Sequence, residues 1–182
     1  MTPEQYSQRL GELIEAIKPE AINYATAATG NMLRDIKNRL ITKGELADGG
    51  QFTPYSTNPL LVSRESFSNK TNADKFFGKQ KGGLKLLMGG YRQLRQIEGL
   101  QVAHKSFFRT GETLNSLKII TQSEQGGDVV IKSGVNARGL KIIAENSNRE
   151  GIDILLPSEP EKLRMAKIFI EGLTKVIKQH IA

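Results

Sequence analysis

Cysteine and tryptophan are both absent from the chain, and aromatic residues make up only 6% of it. Without thiols there can be no disulfide and no thiolate metal site, and a reducing compartment is permitted. No apolar run approaches the roughly 20 residues that a membrane-spanning helix needs. No basic segment followed by an apolar core stands at the N-terminus, so neither a signal peptide nor a membrane partner is expected. Histidine is scarce: His104 and His180 stand alone, and neither has a carboxylate nearby at ligand spacing. His180, at the end of a helical stretch, is expected to meet terminal carbonyls. There is no Gly-x-Ser-x-Gly elbow, and the acidic residues are scattered among basic neighbours as solvated surface charge would be. The expectation is a protein without catalytic residues, metal or cofactor.

What is present is charge and helical periodicity. The 182 residues suit one domain, and with 38% hydrophobic against 25% charged residues an elongated or assembly-dependent shape is favoured. Net charge is +7, and residues 62–105 hold most of it: Arg64, Lys70, Lys75, Lys79, Lys81, Lys85, Arg92, Arg95 and Lys105 face only Glu65, Asp74 and Glu98. Such a cluster can attract nucleic acid or an acidic protein face, with Lys79, Lys81, Lys85, Arg92 and Arg95 as the phosphate-facing candidates. A solvated loop kept soluble by lysine explains the same cluster. The stretch Gly78-Lys79-Gln80-Lys81-Gly82-Gly83 lacks the lysine-then-hydroxyl ending and the preceding strand of a phosphate loop.

Thr2-Pro3-Glu4-Gln5 has the form of a capping box with proline at the first helical position. From Leu10 to Leu40 apolar residues recur at helical spacing, predicting a long helix to about Ile41, with a kink or break near Lys18 because Pro19 removes a backbone donor. The small face of Ala21, Ala25 and Ala28 invites another helix to pack closely. Residues 44–83 hold no period of either kind, and predict an extended loop or interaction arm that orders only on assembly. Its large apolar residues, Phe52, Tyr55, Leu60, Leu61, Phe67, Phe76 and Phe77, would then be anchors for another surface. Leu84 to Ile97 suggests a short helix up to Gly99, interrupted by Gly89-Gly90, carrying Lys85, Arg92 and Arg95 on its exposed side.

Phe107-Phe108-Arg109-Thr110-Gly111 is the corner at which helical sequence hands over to strand-like sequence. A strand over Leu117 to Thr121, a turn at Gln125-Gly126-Gly127-Asp128 and a returning strand from Val129 predict a β-hairpin. Leu140 to Ala144 reads as strand or short helix, and Ile152 to Leu156 as a further strand. Ser158-Glu159-Pro160-Glu161 is a second capping box, opening a last helix with a clear apolar stripe. The fold class is therefore α+β: a long N-terminal helix, a long irregular insertion, a small and mostly antiparallel sheet with a hairpin, and a C-terminal helix in one domain, 1–182.

The order of these elements, the segment Thr110-Gly111-Glu112-Thr113-Leu114-Asn115-Ser116 and the run from Arg149 to Pro157-Ser158-Glu159 together resemble the neck and tail-completion proteins of tailed bacteriophages. In that group, which includes virion-morphogenesis proteins of Mu-like phages, a Thr-Gly-x-Leu-x-x-Ser segment leads into the first strand. Here the leucine is displaced by one position, and residues 44 to 105 stand as an insertion. The resemblance implies a non-enzymatic structural virion component, assembled in the host cytoplasm. It would form a homo-oligomeric ring at the head–tail junction, next to connector or tail proteins, with a lumen that passes DNA without reading its sequence. Phe52, Tyr55, Phe67, Phe76, Phe77, Arg109 and Thr110 would belong to the subunit or partner interface. The alternative is a basic nucleic-acid-binding module.

Overall fold

The computed structural model describes residues 2–79, 82–105, 111–126 and 128–181. The order of elements is that of an α+β chain. Helix α1 (Pro3–Asn38) comes first and passes into a π-helical turn (Arg39–Lys43). Strand β1 (Leu60–Val62), helix α2 (Lys70–Phe77), strand β2 (Lys85–Leu87) and helix α3 (Gly90–Ile97) follow. The last third holds a single turn of helix, α4 (Glu112–Asn115), strands β3 (Lys118–Gln125) and β4 (Asp128–Gly134), and helices α5 (Ala137–Glu150) and α6 (Glu159–Ile181).

Helix α1 starts as its capping residues require. Thr2 Oγ1 accepts the Gln5 amide at 3.3 Å while the Gln5 side chain accepts the Thr2 amide at 2.9 Å. The break expected at Pro19 does not occur: the helix runs through it. Proline costs one backbone hydrogen bond, and more than thirty other residues of the same helix hold the ladder on either side.

Helix α6 packs antiparallel on α1. Arg164 meets Asp35 at 3.0 Å near one end of the pair, and further along Gly172 lies against the ring of Tyr24. That approach is close enough that a Cβ at position 172 would fall 2.2 Å from the ring. Ala28, on the face expected to receive another helix, is buried. Gly172 lets the two helices approach at Tyr24, and this neighbour comes from the same chain.

The hairpin is built as its sequence predicts. β3 and β4 pair antiparallel from Gln125↔Asp128 to Lys118↔Gly134, with one irregularity between Ile119 and Thr121 that leaves Ile120 unpaired and turned outward. The hairpin lies along α1, where Thr26 donates to the Gln122 side chain at 2.7 Å. At the corner before it, Gly111 takes a left-handed φ of 76°, which a side chain would oppose, and α4 follows at once. Leu114 from that turn drops into the main core with Leu33, Ile36, Leu40, Phe52, Leu117 and Ile154.

Two expectations from the sequence are corrected. Ile152 to Leu156 is a turn and not a strand, because the left-handed Gly151 ends α5 and Asp153 caps the turn through the Leu155 amide at 2.9 Å. Ile154 is nevertheless fully buried, so its apolar character reports the core and not a ladder. Leu84 to Ile97 is a short strand followed by a helix, separated at Gly89.

The insertion carries the larger correction. It contains β1, a 3-10 turn (Arg64–Ser66) and α2, and together with β2 and α3 it encloses a second core. Val62, Phe67, Ala73, Phe77, Leu87 and Leu94 form that core, all from residues 62–94. The aromatics missed as a core lack helical or strand period because they come from turns as well as from α2.

The α1–α6 contact yields a direct test. Replacing Gly172 with valine should lower stability by about 1–3 kcal/mol through overpacking against Tyr24. Urea unfolding followed by far-UV circular dichroism reads this as a lower midpoint. A Tyr24→Ala change in the same background should recover part of the loss, and an unchanged midpoint for Gly172→Val would contradict the packing described.

Candidate interaction site

The residues expected at an interface sit mostly inside the chain. Phe52 belongs to the main core, and Phe67 and Phe77 to the second one, with Phe76 packed against it. The three rings of the second core meet one another at centroid distances of 5.3 to 6.0 Å. Tyr55 is buried beneath Tyr91, at 5.7 Å, and the Arg95 guanidinium, at 4.4 Å. These side chains are therefore not free anchors, because each already fills a pocket of its own chain. Arg109 and Thr110 lie outside the described residues.

The five basic candidates separate into kinds. Arg95 is buried, stacked on Tyr55 and donating from Nε to the Gln101 carbonyl at 3.2 Å. Lys85 caps the aromatic cluster: its Nζ donates to the Phe76 carbonyl at 2.9 Å and lies 5.1 Å from the Phe76 ring centroid. Lys79 and Arg92 are exposed, and Lys81 lies outside the described residues. Two of the four described candidates in the pattern read as a phosphate-facing surface are thus internal bracing, since an ammonium or guanidinium over an aromatic face is itself a favourable contact.

A cleft of about 570 Å³ separates the two cores, lined by Tyr55, Tyr91, Arg95, Lys105, Arg138 and Arg149 among others. Its cations are largely committed. Arg138 pairs with Glu112 at 3.0 Å, and Lys105 is held by Glu150 at 2.6 Å and by the Thr53 hydroxyl at 3.0 Å. Glu150 also accepts from the Thr53 amide and hydroxyl. Burial pushes the Glu150 carboxyl up, but hydrogen bonds from Lys105 and Thr53 and the charge of Lys105 outweigh it and hold the group below the usual 4.5. This knot ties the start of the insertion to the end of α5.

Neither histidine faces that cleft. His104 contacts the Ile41 carbonyl at 3.1 Å, and His180 contacts the Val176 carbonyl at 3.0 Å, one turn back along α6. Among the described residues no group of three histidine, aspartate or glutamate side chains is placed to hold a metal ion. No described helix is long and apolar enough to cross a membrane.

Among the described residues exposed apolar side chains gather on two faces, of which the sequence nominated only Leu61 as an anchor; others, such as Leu163 and Ile170 on α6, stand apart from them. The outer side of the β1–β2 ribbon carries Leu61 opposite Leu86, with Leu84 and Met88 on the same side; all four are 54 to 68% exposed. The inward residues Val62 and Leu87 alternate with them, as the pleat requires. The alternation Leu84, Leu86, Met88 between two glycine pairs was the available signal. The second face lies near the start of α1, where Tyr6, Leu10 and Ile14 recur four residues apart and are 40 to 59% exposed.

The Lys105–Glu150 knot makes its own prediction. Both side chains are almost fully buried, so Glu150→Gln leaves an ammonium without its counter-charge and should cost about 3 kcal/mol near pH 7. Because the folded carboxyl sits below its unfolded value, the stability it supplies is complete above pH 4.5 and is lost as pH falls through the folded value. The gap between wild type and variant should therefore close on acidification. Urea midpoints measured across that range check it, and a gap independent of pH would refute it.

The chain matches no known family model, no curated protein and no solved structure in comparisons with each.

Proposed function

We propose that this protein is a structural component of a tailed-phage virion, a subunit of a ring that completes the head–tail junction and whose lumen passes DNA. The observation that carries this reading is the part played by the segment Gly111 to Ser116 on which the family resemblance rests. Gly111 makes the corner, Leu114 anchors it in the main core, and Ser116 joins the two ends of the hairpin. The Ser116 hydroxyl donates to the Thr113 carbonyl at 2.8 Å and accepts the Asn136 amide, just beyond β4, at 3.2 Å. A glycine, a leucine and a serine at this spacing are thus a device for launching a hairpin from a corner. The resemblance likewise has such a segment lead into the first strand.

The architecture supports an assembling subunit. A two-stranded hairpin laid along one long helix leaves strand edge available for a neighbour, and one end of α1 runs beyond its partner helix. The two helices pass Tyr24 and Gly172 together, so the last residues of α6 reach about the level of Glu15 at 1.5 Å per residue. Residues 2–12 are exposed without exception. Its partners would be further copies of itself, adjoining connector or tail proteins and, in the lumen, DNA held without sequence preference.

Peptide mass spectrometry of purified phage particles tests the proposal. The protein is expected in particles at a fixed, multiple copy number, and particles made without it are expected to carry full heads and free tails that do not join. Its absence from infectious particles would overturn the reading.

A further inference from the structure

The two exposed apolar faces sit on elements of opposite charge. Residues 3–20 of α1 carry Glu4, Glu12, Glu15 and Glu20 against Arg9 and Lys18. Residues 60–92, which include the ribbon, carry seven lysines and arginines against Glu65 and Asp74, and Lys70, Lys75, Lys79 and Arg92 of these are exposed. Each face needs an apolar cover. Several large apolar side chains exposed on one side of an element are the usual mark of an interaction surface.

From these observations we infer that the start of α1 in one copy docks on the outer face of the β1–β2 ribbon in the next copy. Tyr6, Leu10 and Ile14 supply the apolar side of the contact, and Leu61, Leu84, Leu86 and Met88 supply the other. This rests on the reading of the protein as a ring subunit and names the surfaces that the ring would use.

Charge selects this pairing over the alternatives. Two α1 ends side by side would bring acidic elements together, and two ribbons face to face would bring basic ones together. Both like pairings are repelled and the mixed pairing is attracted. The glutamates at 4, 12 and 15 lie on the side of the helix away from its apolar stripe, so they steer the approach within a screening length of about 8–10 Å and do not enter the contact. A helix lying on a two-stranded ribbon buries one stripe against one pleated side, and the exposed apolar residues of each element lie on that stripe and that side. Because the surfaces differ, the contact is heterologous. It repeats from copy to copy and gives a ring when the rotation closes. Three side chains against four make a small contact, so a closed ring stabilised by many repeats is favoured over an isolated pair.

The natural absence of cysteine makes the test direct. Leu10→Cys and Leu86→Cys fall on exposed positions, so neither should disturb the core, and unchanged circular dichroism checks this. Particles assembled from the double variant and oxidised should yield a ladder of multimers on a non-reducing gel, collapsing to monomer when reduced. Each single variant should yield no ladder. Leu86→Glu in the cysteine-free chain should abolish incorporation while leaving the soluble protein folded. Particles that contain the double variant but give no ladder would overturn the contact and leave the ring reading standing. Dimers from Leu10→Cys alone would replace it with a helix-to-helix contact. Particles lacking the protein would overturn both readings. Sedimentation of the full chain with phosphatidylserine vesicles, lost in Leu86→Glu, would assign the ribbon to a lipid surface instead.

Discussion

The buried pair of Arg39 and Glu161 is the constraint on which the rest of the molecule depends. Arg39 stands where α1 tightens into its π-helical turn. Its three nitrogens are all used: Nε donates to Glu161 at 2.9 Å, Nη1 to the Glu45 carbonyl at 2.8 Å and Nη2 to the Leu156 carbonyl at 2.9 Å. The other Glu161 oxygen accepts the Ser158 amide at 2.7 Å, which is the reaching-back half of the capping arrangement expected before α6. Four separate parts of the chain therefore meet on one guanidinium and one carboxylate. Taking two charges out of water offsets much of what their attraction supplies, so such a pair acts chiefly on register. Were α6 to slide by one turn, both groups would be left buried and unpaired. The antiparallel seating of α6 on α1 follows, and with it the close approach of Gly172 to Tyr24.

The second core obeys a different logic. About 35 residues between β1 and α3 cover their own aromatics instead of waiting for a partner. Arg64 contributes twice, ion-pairing with Asp74 and lying over the Phe77 ring, while Lys85 covers Phe76 from the other element. The consequence for function is an inversion. Aromatic residues that look available in the sequence are consumed internally, and the ribbon leucines Leu61 and Leu86, which alternate with the inward Val62 and Leu87, are left outside.

Between the two cores lies a joint made of polar and stacking contacts. The Arg92 amide donates to the Ser56 carbonyl at 3.0 Å, Tyr55 stacks with Arg95, and Lys105 and Glu150 close the far side. Thr53 and Glu150 show why sequence could not nominate this joint. They are 97 residues apart, and nothing in the local pattern around either one identifies the other. Acidic residues that read as scattered surface charge include two, Glu150 and Glu161, that are almost wholly enclosed.

The sequence by itself determined what depends on neighbours along the chain. The capping box at Thr2, the Glu161 half of the one at Ser158, the helical stripes of α1 and α6 and the glycine turn of the hairpin act over three or four positions, and each formed where its spacing placed it. His180 likewise met a carbonyl of its own helix. What only the tertiary structure decided is the destination of each side chain that local rules leave open. Ile154 is buried from a turn, and Arg95 lies inside although a helix period alone would put it in water. The physical reason is the same in each case. Burial and charge pairing are settled by segments that come together across dozens of residues, and their free energy outweighs the local preference at any single position.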